Sequence, residues 1–134
     1  MAKYKCVVIG YDSGLNELLN AQTKRYDPRT KKTRVFNPEK TKNDRLCEKA
    51  IRNCQNLKGV HIHQPIFIKY RFYPKDKKRD RSNYSAAFIK SFEDALQHCK
   101  VIDNDTYDLV MTPEYYFEID KSNPRVEVEI NTVE

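Results

Sequence analysis

Side chains alternate in character over residues 62–73, and this alternation constrains the fold more than any other feature of the chain. The apolar positions are Ile66, Ile68, Tyr70 and Phe72, with the cations Lys69 and Arg71 between them. Successive side chains of a β-strand point to opposite faces, so the pattern predicts a strand with one buried and one solvated face. We expect helices to cover a sheet of such strands on one side only.

Periodicities elsewhere predict a two-layer α/β domain around this strand. Apolar residues at three- and four-residue spacing indicate helices at 38–57, capped by Asn37 and closed by Gly59, and at 83–99. Strands are predicted at 3–9, 62–73, 108–119 (interrupted by Pro113) and 125–130. The order β-α-β-α-β-β predicts a single domain over residues 1–134 with a mixed sheet.

A long basic loop is predicted at residues 10–37, between the first strand and the first helix. Its loop signals include Gly10, Gly14 and Asp27-Pro28. A loop of this length is functional or mobile, and its cations could become ordered on the phosphate backbone of a nucleic acid. These cations are Lys24, Arg25, Arg29, Lys31, Lys32 and Arg34.

The net charge of +6 is unevenly distributed along the chain. Residues 1–90 hold 22 of the 25 Lys and Arg against 8 of the 19 Asp and Glu, whereas residues 91–134 hold 3 against 11. The basic part is either a footprint for phosphates or a solvated surface. The acidic C-terminal third, with Tyr115, Tyr116 and Phe117, is a candidate surface for a protein partner.

No apolar run is long enough to span a bilayer, so no membrane partner is predicted. The four cysteines are Cys6, Cys47, Cys54 and Cys99. They form no CxxC pair, and we interpret them as buried reduced thiols, which predicts a cytosolic protein. His61 and His63 flank Ile62 at the start of the predicted strand and share one face. Without a third ligand in the pattern, we interpret them as surface residues rather than a metal pair.

Acidic side chains lie inside the most basic part of the sequence. Lys77-Lys78-Arg79-Asp80-Arg81-Ser82-Asn83 leads into the second helix, and Val101-Ile102-Asp103-Asn104-Asp105 follows it. Carboxylates among cations are typical of a site that holds both a polyanion and a hard divalent metal, as DNA with Mg²⁺ requires. Alternatively, Asp80 and Ser82 are hydrogen bonders at the helix start, and Asp103-Asn104-Asp105 is a polar turn.

The candidate metal ligands are Asp80, Asp103 and Asp105. A helix of the predicted length spans roughly 25 Å, so Asp80 and Asp105 can meet only if the loops fold back or if two subunits contribute one end each. Arg79 could bind a phosphate bidentately. Lys90, on the exposed face of the helix, could neutralise charge developing at phosphorus or could simply be solvated.

Taken together, these segments resemble the RusA family of small, dimeric, Mg²⁺-dependent Holliday junction resolvases. The matching residues are 79–83, the helix end Phe92-Glu93-Asp94-Ala95-Leu96, the turn 101–105, the C-terminal stretch 119–130 and Leu15-Asn16-Glu17. The resemblance implies a dimeric RusA-like fold and the cleavage of four-way DNA junctions in recombination and repair. The family is often encoded by phages and prophages, which implies the cytoplasm of a bacterial host cell.

The resemblance also implies roles for individual residues. Asp80 and Asp105 would bind Mg²⁺, and Lys90 would be the catalytic lysine. Asp103 is a further candidate ligand from the residues alone, and Mn²⁺ is an alternative ion. Arg79 and Asn83 would contact DNA and shape the loop. The other expected DNA contacts are Lys77, Lys78, Arg81, Lys24, Arg25, Lys31, Lys32 and Arg34. A homodimer would complete the acidic cluster.

Ser82 departs from the family pattern, which has a second aspartate at that position. Three hypotheses follow from this departure. The protein could be a structure-selective endonuclease in which Asp103 compensates for Ser82, or it could bind junctions without cutting them. It could instead have become a protein-interaction module.

Overall fold

Four strands form the main sheet of the computed structural model, which describes residues 2–12, 23–78, 80–103 and 114–133. The strands in chain order are β1 (Lys3–Ile9), β2 (Thr23–Asp27), β3 (Lys32–Phe36), β4 (Ile66–Tyr73), β5 (Glu114–Phe117) and β6 (Arg125–Thr132). The order in the main sheet is β1-β6-β4-β5. Because β4 and β5 are parallel and the other two pairs are antiparallel, the predicted mixed sheet is confirmed.

The main sheet buries one face and exposes the other, as the alternation in β4 predicts. The buried face carries Val8 of β1, the four apolar residues of β4, and Val126, Val128 and Ile130 of β6, each no more than 2% exposed. On the opposite face, the strand register aligns Lys5, Glu129 and Lys69 in a row of alternating charge. Opposite charges on neighbouring strands stabilise the solvated face.

Two helices, α1 (Pro38–Arg52) and α2 (Arg81–His98), supply the second layer. As predicted, Asn37 caps α1, its side chain accepting a hydrogen bond from the Lys40 N–H, and Pro38 takes the first helical position. The predicted end of α1 at residue 57 is wrong, because the backbone is extended at Cys54 and continues as a 3₁₀ turn over Gln55–Leu57. This turn lets the Cys54 thiol donate to the Lys5 carbonyl and buries Leu57.

The apolar face of α2 packs onto the sheet through aromatic rings. Phe88 is fully buried, and its ring centroid lies 5.7 Å from that of Phe72 and 5.6 Å from that of Phe92. The α1 and α2 helices are joined by Lys40, whose ammonium lies 2.6 Å from Asp44 and 2.8 Å from Asp94. Burial lowers the pKa of Lys40, but hydrogen bonds to these two carboxylates outweigh it and hold the pKa above its usual value.

The interpretation of residues 10–37 as one long loop is wrong for the part that the structure describes. Residues 23–36 form the β2–β3 hairpin, in which Thr23 pairs with Phe36 and Asp27 pairs with Lys32. The connecting turn is stabilised by the Asp27 carboxylate, which accepts a hydrogen bond from the Arg29 N–H at 2.9 Å. Lys31 closes it with a φ of 55°.

The ends of three strands also differ from the prediction. β4 begins at Ile66 rather than at residue 62, so His61 and His63 precede the strand. β5 is limited to Glu114–Phe117, with residues 108–113 outside the described part of the chain, and β6 continues to Thr132. Among the described residues, no helix is both long and apolar enough to cross a membrane.

Candidate functional site

Asp80 stands at the N-terminal end of α2 and caps the helix. Its Oδ1 accepts a hydrogen bond from the Asn83 N–H at 3.1 Å, and its carbonyl accepts one from the Tyr84 N–H at 2.9 Å. The interpretation of Asp80 as a hydrogen bonder at the helix start is therefore confirmed. Serine is also a favoured cap, but Ser82 lies inside the first turn, where its carbonyl accepts from the Ser85 hydroxyl.

The cations around this helix end are exposed at the surface. Lys77, Lys78 and Arg81 are exposed, and the guanidinium of Arg81 lies over the Phe117 ring at 5.7 Å from its centroid. This cation–π contact orients Arg81 toward the end of β5. The predicted phosphate ligand Arg79 lies outside the described residues.

A cavity of about 410 Å³ adjoins the start of α2. Its lining includes Lys77, Arg81, Asp76 and Glu118, with apolar walls from Tyr84 and Phe117. Sequence reasoning missed Asp76 and Glu118. The parallel pairing of β4 and β5 explains their proximity, because it places the carboxyl ends of both strands at the same edge, where the Glu118 N–H donates to the Phe72 carbonyl at 3.0 Å.

The predicted metal ligands are not brought together within the described part of one chain. Asp80 precedes α2, whereas Asp103 follows it, and an 18-residue helix is about 27 Å long. Lys90 is exposed as predicted, but it lies ten residues after Asp80, about 15 Å farther along the helix axis. Asp105 lies outside the described residues, and completion of the site by a second subunit stays a prediction.

The described residues at the N-terminal end of α2 are not grouped as a Mg²⁺ centre. Such a centre needs two or three carboxylates around one ion, and Asp80 is the only predicted ligand described there. Asp76 and Glu118 line the neighbouring cavity, but among the described residues they form no group of three donors with Asp80. One oxygen of Asp80 is already a helix cap, and the neutral Ser82 adds no charge. The opposite end of α2 has a group of three potential metal donors that lie close together. It is the one such group among the residues that the structure describes.

This second group consists of His61, His63 and Asp103. The Nε2 atom of His61 lies 3.0 Å from Oδ1 of Asp103, and Nδ1 of His63 lies 3.7 Å from Oδ2 of the same carboxylate. Both histidines are exposed, as predicted, and Asp103 adds a third potential donor that the sequence pattern did not indicate. No spacing in the sequence could indicate this ligand, because 42 residues separate His61 from Asp103.

The basic hairpin contributes further predicted DNA contacts. Lys24, Lys31 and Lys32 are exposed on β2, the turn and β3. Arg25 and Arg34 are register partners in the hairpin. The predicted cations of this segment therefore all lie in one β-hairpin.

The acidic C-terminal third presents fewer interaction groups than its sequence predicts. Tyr115 and Tyr116 are about half exposed, at 48% and 52%, but Phe117 stacks on Phe72 with 4.9 Å between ring centroids. Arg125 binds the carboxylates of Asp120 and Glu127 at 2.8 Å each. The hydrogen bond from Arg125, with help from Ser122, lowers the pKa of Asp120.

The thiols of Cys6 and Cys47 are buried, as predicted, whereas Cys54 and Cys99 are partly buried. Burial, followed by the neighbouring Cys54, raises the pKa of Cys6 to about 12. Burial also raises the pKa of Cys47 and, more weakly, that of Cys99. Because the thiolate is the nucleophile and the metal ligand, burial and a raised pKa disfavour both roles for Cys6 and Cys47.

No protein-family model matches this chain, and no curated protein matches it in sequence. The resemblance to the RusA family therefore stays a prediction.

Proposed function

We propose that this protein binds branched DNA, and four-way junctions in particular, through the surface at the N-terminal end of α2. The observation that carries this proposal is the grouping of exposed Lys77, Lys78 and Arg81 around an exposed helix start. Lysine and arginine side chains that neutralise phosphates provide most of the affinity of such proteins for DNA.

The backbone makes a smaller contribution than these side chains. The helix dipole places roughly half a positive charge at a helix N-terminus, but the Asp80 carboxylate that caps α2 offsets part of it. The exposed lysines of the β2–β3 hairpin offer a second group of phosphate contacts. Two separate cationic groups suit a ligand with several phosphate backbones, and a homodimer would double both groups to match the two-fold symmetry of a junction.

The second candidate function is the Mg²⁺-dependent endonuclease that the RusA resemblance implies. Its support is the position of Asp80, an exposed carboxylate among the phosphate-binding cations. Because the described residues there include only one of the expected ligands, we assign no cleavage step to them. Asp105 or a partner subunit would have to provide the missing charge.

Binding of a labelled four-way junction, with linear duplex for comparison, tests the first candidate at several salt concentrations. We expect tighter binding to the junction and an affinity that falls steeply with salt. Lys77→Ala and Arg81→Ala should each weaken binding and reduce the slope of log K against log salt by about 1, the value expected for one phosphate contact.

Lys58→Ala is the matched control. It removes an exposed lysine from the segment that leads to His61, which lies at the opposite end of α2 from the proposed DNA-binding surface. An equal effect of Lys58→Ala would mean that the basic surface acts without a defined site. Failure of the wild-type protein to bind at low salt would reject DNA binding. The exposed Tyr115 and Tyr116 would then be examined as a surface for a protein partner.

The two candidates are separated by incubating the junction with Mg²⁺, with Mn²⁺ and with a chelator. Symmetric nicks by the wild-type protein would establish the endonuclease. A bound but uncut junction favours the binding role, and Ser82→Asp should then create or raise cleavage, whereas Ser82→Asn should not because it adds no charge. If Ser82→Asp binds DNA and remains inert, the missing carboxylate is not the reason for inactivity.

A further inference from the structure

We propose that His61, His63 and Asp103 bind a transition-metal ion of the Zn²⁺ class at the C-terminal end of α2. This site is independent of the proposed DNA-binding function, because it lies at the opposite end of an 18-residue helix from Asp80. Two imidazoles and one carboxylate form a donor set typical of zinc and related ions.

The separations between the donor atoms suit a single ion. The carboxylate of Asp103 faces both rings, at 3.0 Å from His61 and 3.7 Å from His63, and the three ligand atoms lie within 4.8 Å of one another. Metal–ligand bonds of about 2.0–2.1 Å in tetrahedral geometry place two ligands about 3.3 Å apart. The two carboxylate distances bracket this value but involve different oxygens, Oδ1 for His61 and Oδ2 for His63, so side-chain rotation has to bring the three donors onto one ion.

A hydrogen bond on the far side of the His61 ring prepares its other nitrogen for a metal. Nδ1 of His61 lies 2.5 Å from the Lys100 carbonyl, which can only accept a hydrogen bond. A neutral His61 therefore carries its proton on Nδ1 and directs the lone pair of Nε2 toward Asp103. Nε2 and the carboxylate oxygen are then 3.0 Å apart, a separation that a shared metal cation can bridge.

The backbone that carries these ligands is held in place. The Ile62 N–H donates to the Val101 carbonyl at 2.7 Å, which joins the histidine segment to the chain that leaves α2. Ile62, Val101 and Ile102 are all buried, at 5%, 2% and 3% exposure. The Val101 N–H donates to the Leu96 carbonyl at 2.9 Å. The neighbours of all three ligands are thus anchored in the core, as preorganised metal binding requires.

The donor set also decides which ions would bind. Mg²⁺ prefers oxygen ligands in octahedral geometry, so two imidazoles disfavour it, whereas Zn²⁺ accepts nitrogen and oxygen together. Three protein ligands leave at least one position for water. His63 is 76% exposed, so this open position faces solvent. The ion would therefore be exchangeable and accessible to an external ligand.

Calorimetric titration of the full-length protein with Zn²⁺ tests this proposal. We expect one ion per chain, and roughly a tenfold or larger loss of affinity in His61→Ala, His63→Ala and Asp103→Asn. His98→Ala is the matched control, because His98 is exposed near the same helix end and pairs with one carboxylate, Glu48, at 2.8 Å. Cys99→Ser controls for binding by the nearby thiol.

The affinity should be unchanged in both control variants. Circular dichroism shows whether each variant is folded, and all three ligand positions are exposed, so their replacement leaves the core intact. Equal Zn²⁺ binding by the wild-type protein and by His61→Ala would overturn the proposal, as would the absence of a binding isotherm in the wild type. The second result would identify the group as a surface histidine–aspartate contact only.

Discussion

Each end of α2 presents an exposed aspartate, but different side chains surround the two carboxylates. Asp80 caps the helix start among Lys77, Lys78 and Arg81, whereas Asp103 lies between His61 and His63 beyond the helix end. At the first end, the carboxylate is one negative charge within a cationic surface that suits a phosphate. At the second end, two imidazole rings join the carboxylate in a group that suits a metal cation.

The comparison shows that a carboxylate acquires its role from its neighbours. Asp80 and Asp103 were both predicted as Mg²⁺ ligands, yet within one chain they flank opposite ends of a helix that is about 27 Å long. The same helix provides a rigid spacer, so each end can bind its ligand without the other.

Phe88→Ala should weaken both ends together. Phe88 is fully buried under α2, and its ring contacts those of Tyr11, Tyr70 and Phe72. Removal of a buried phenylalanine ring costs about 3–5 kcal/mol, a large part of the stability of a small domain. Denaturant titration should show this loss of unfolding free energy, and junction and Zn²⁺ binding should decline with the folded fraction.

Phe88→Leu is the control for the core, because leucine keeps much of the buried apolar volume and should cost less. Unchanged stability in Phe88→Ala would contradict the packing of α2 on the sheet. Loss of one binding activity with full retention of the other would show that one end of α2 does not depend on this packing.

The sequence predicted the elements in which regularly spaced apolar residues face the core. The alternation in β4 and the apolar face of α2 are both set by the core, so their positions follow from the spacing of residues such as Ile68 and Phe92. The β2–β3 hairpin was missed because charged residues predominate in it and Pro28 indicates a loop. The structure identifies the hairpin by the backbone pairing of its two strands.

The sites were predictable to a different extent at the two ends of α2. Asp80 and its cations are adjacent in sequence, and an aspartate at a helix start is a local signal of a cap. The group at the other end depends on the hydrogen bond between Ile62 and Val101, which joins segments far apart in the chain. Local spacing carries no information about such a contact, and this is why the histidines could not be assigned a third ligand.

Separate replacement of the two sites should show that they are independent. We expect His61→Ala to lower Zn²⁺ affinity roughly tenfold, about 1.4 kcal/mol, with no change in junction affinity. Arg81→Ala should weaken junction binding and leave Zn²⁺ binding unchanged. The double variant should lose as much Zn²⁺ affinity as His61→Ala and as much junction affinity as Arg81→Ala, because distant sites without shared partners act independently.

Both quantities should be measured on the same protein preparations, with the Lys58→Ala and His98→Ala variants as controls. A shift in junction affinity on addition of Zn²⁺ to the wild type, absent in His61→Ala, would contradict independence. In that case α2 would transmit a change between its ends rather than separate them.

Replacement of Asp80 should have the smallest effect on stability, and it distinguishes the cap from the charge. Asp80→Ala removes the acceptor for the Asn83 N–H and should lower the free energy of unfolding by about 1 kcal/mol. Asp80→Asn keeps an amide oxygen as the cap and should retain wild-type stability. It also removes one negative charge from the cationic surface, so junction binding should be as tight as in the wild type or tighter.

Weaker junction binding by a fully stable Asp80→Asn variant would argue against this description of the N-terminal end. It would mean that the carboxylate itself contributes to DNA binding, as it could if it held a cation beside a phosphate. Repeating the measurement with a chelator decides between these two accounts. If a chelator removes the difference in junction affinity between Asp80→Asn and the wild type, the N-terminal end of α2 also binds a metal ion. The two ends would then differ in which ion they bind, and not in whether they bind a phosphate or a metal.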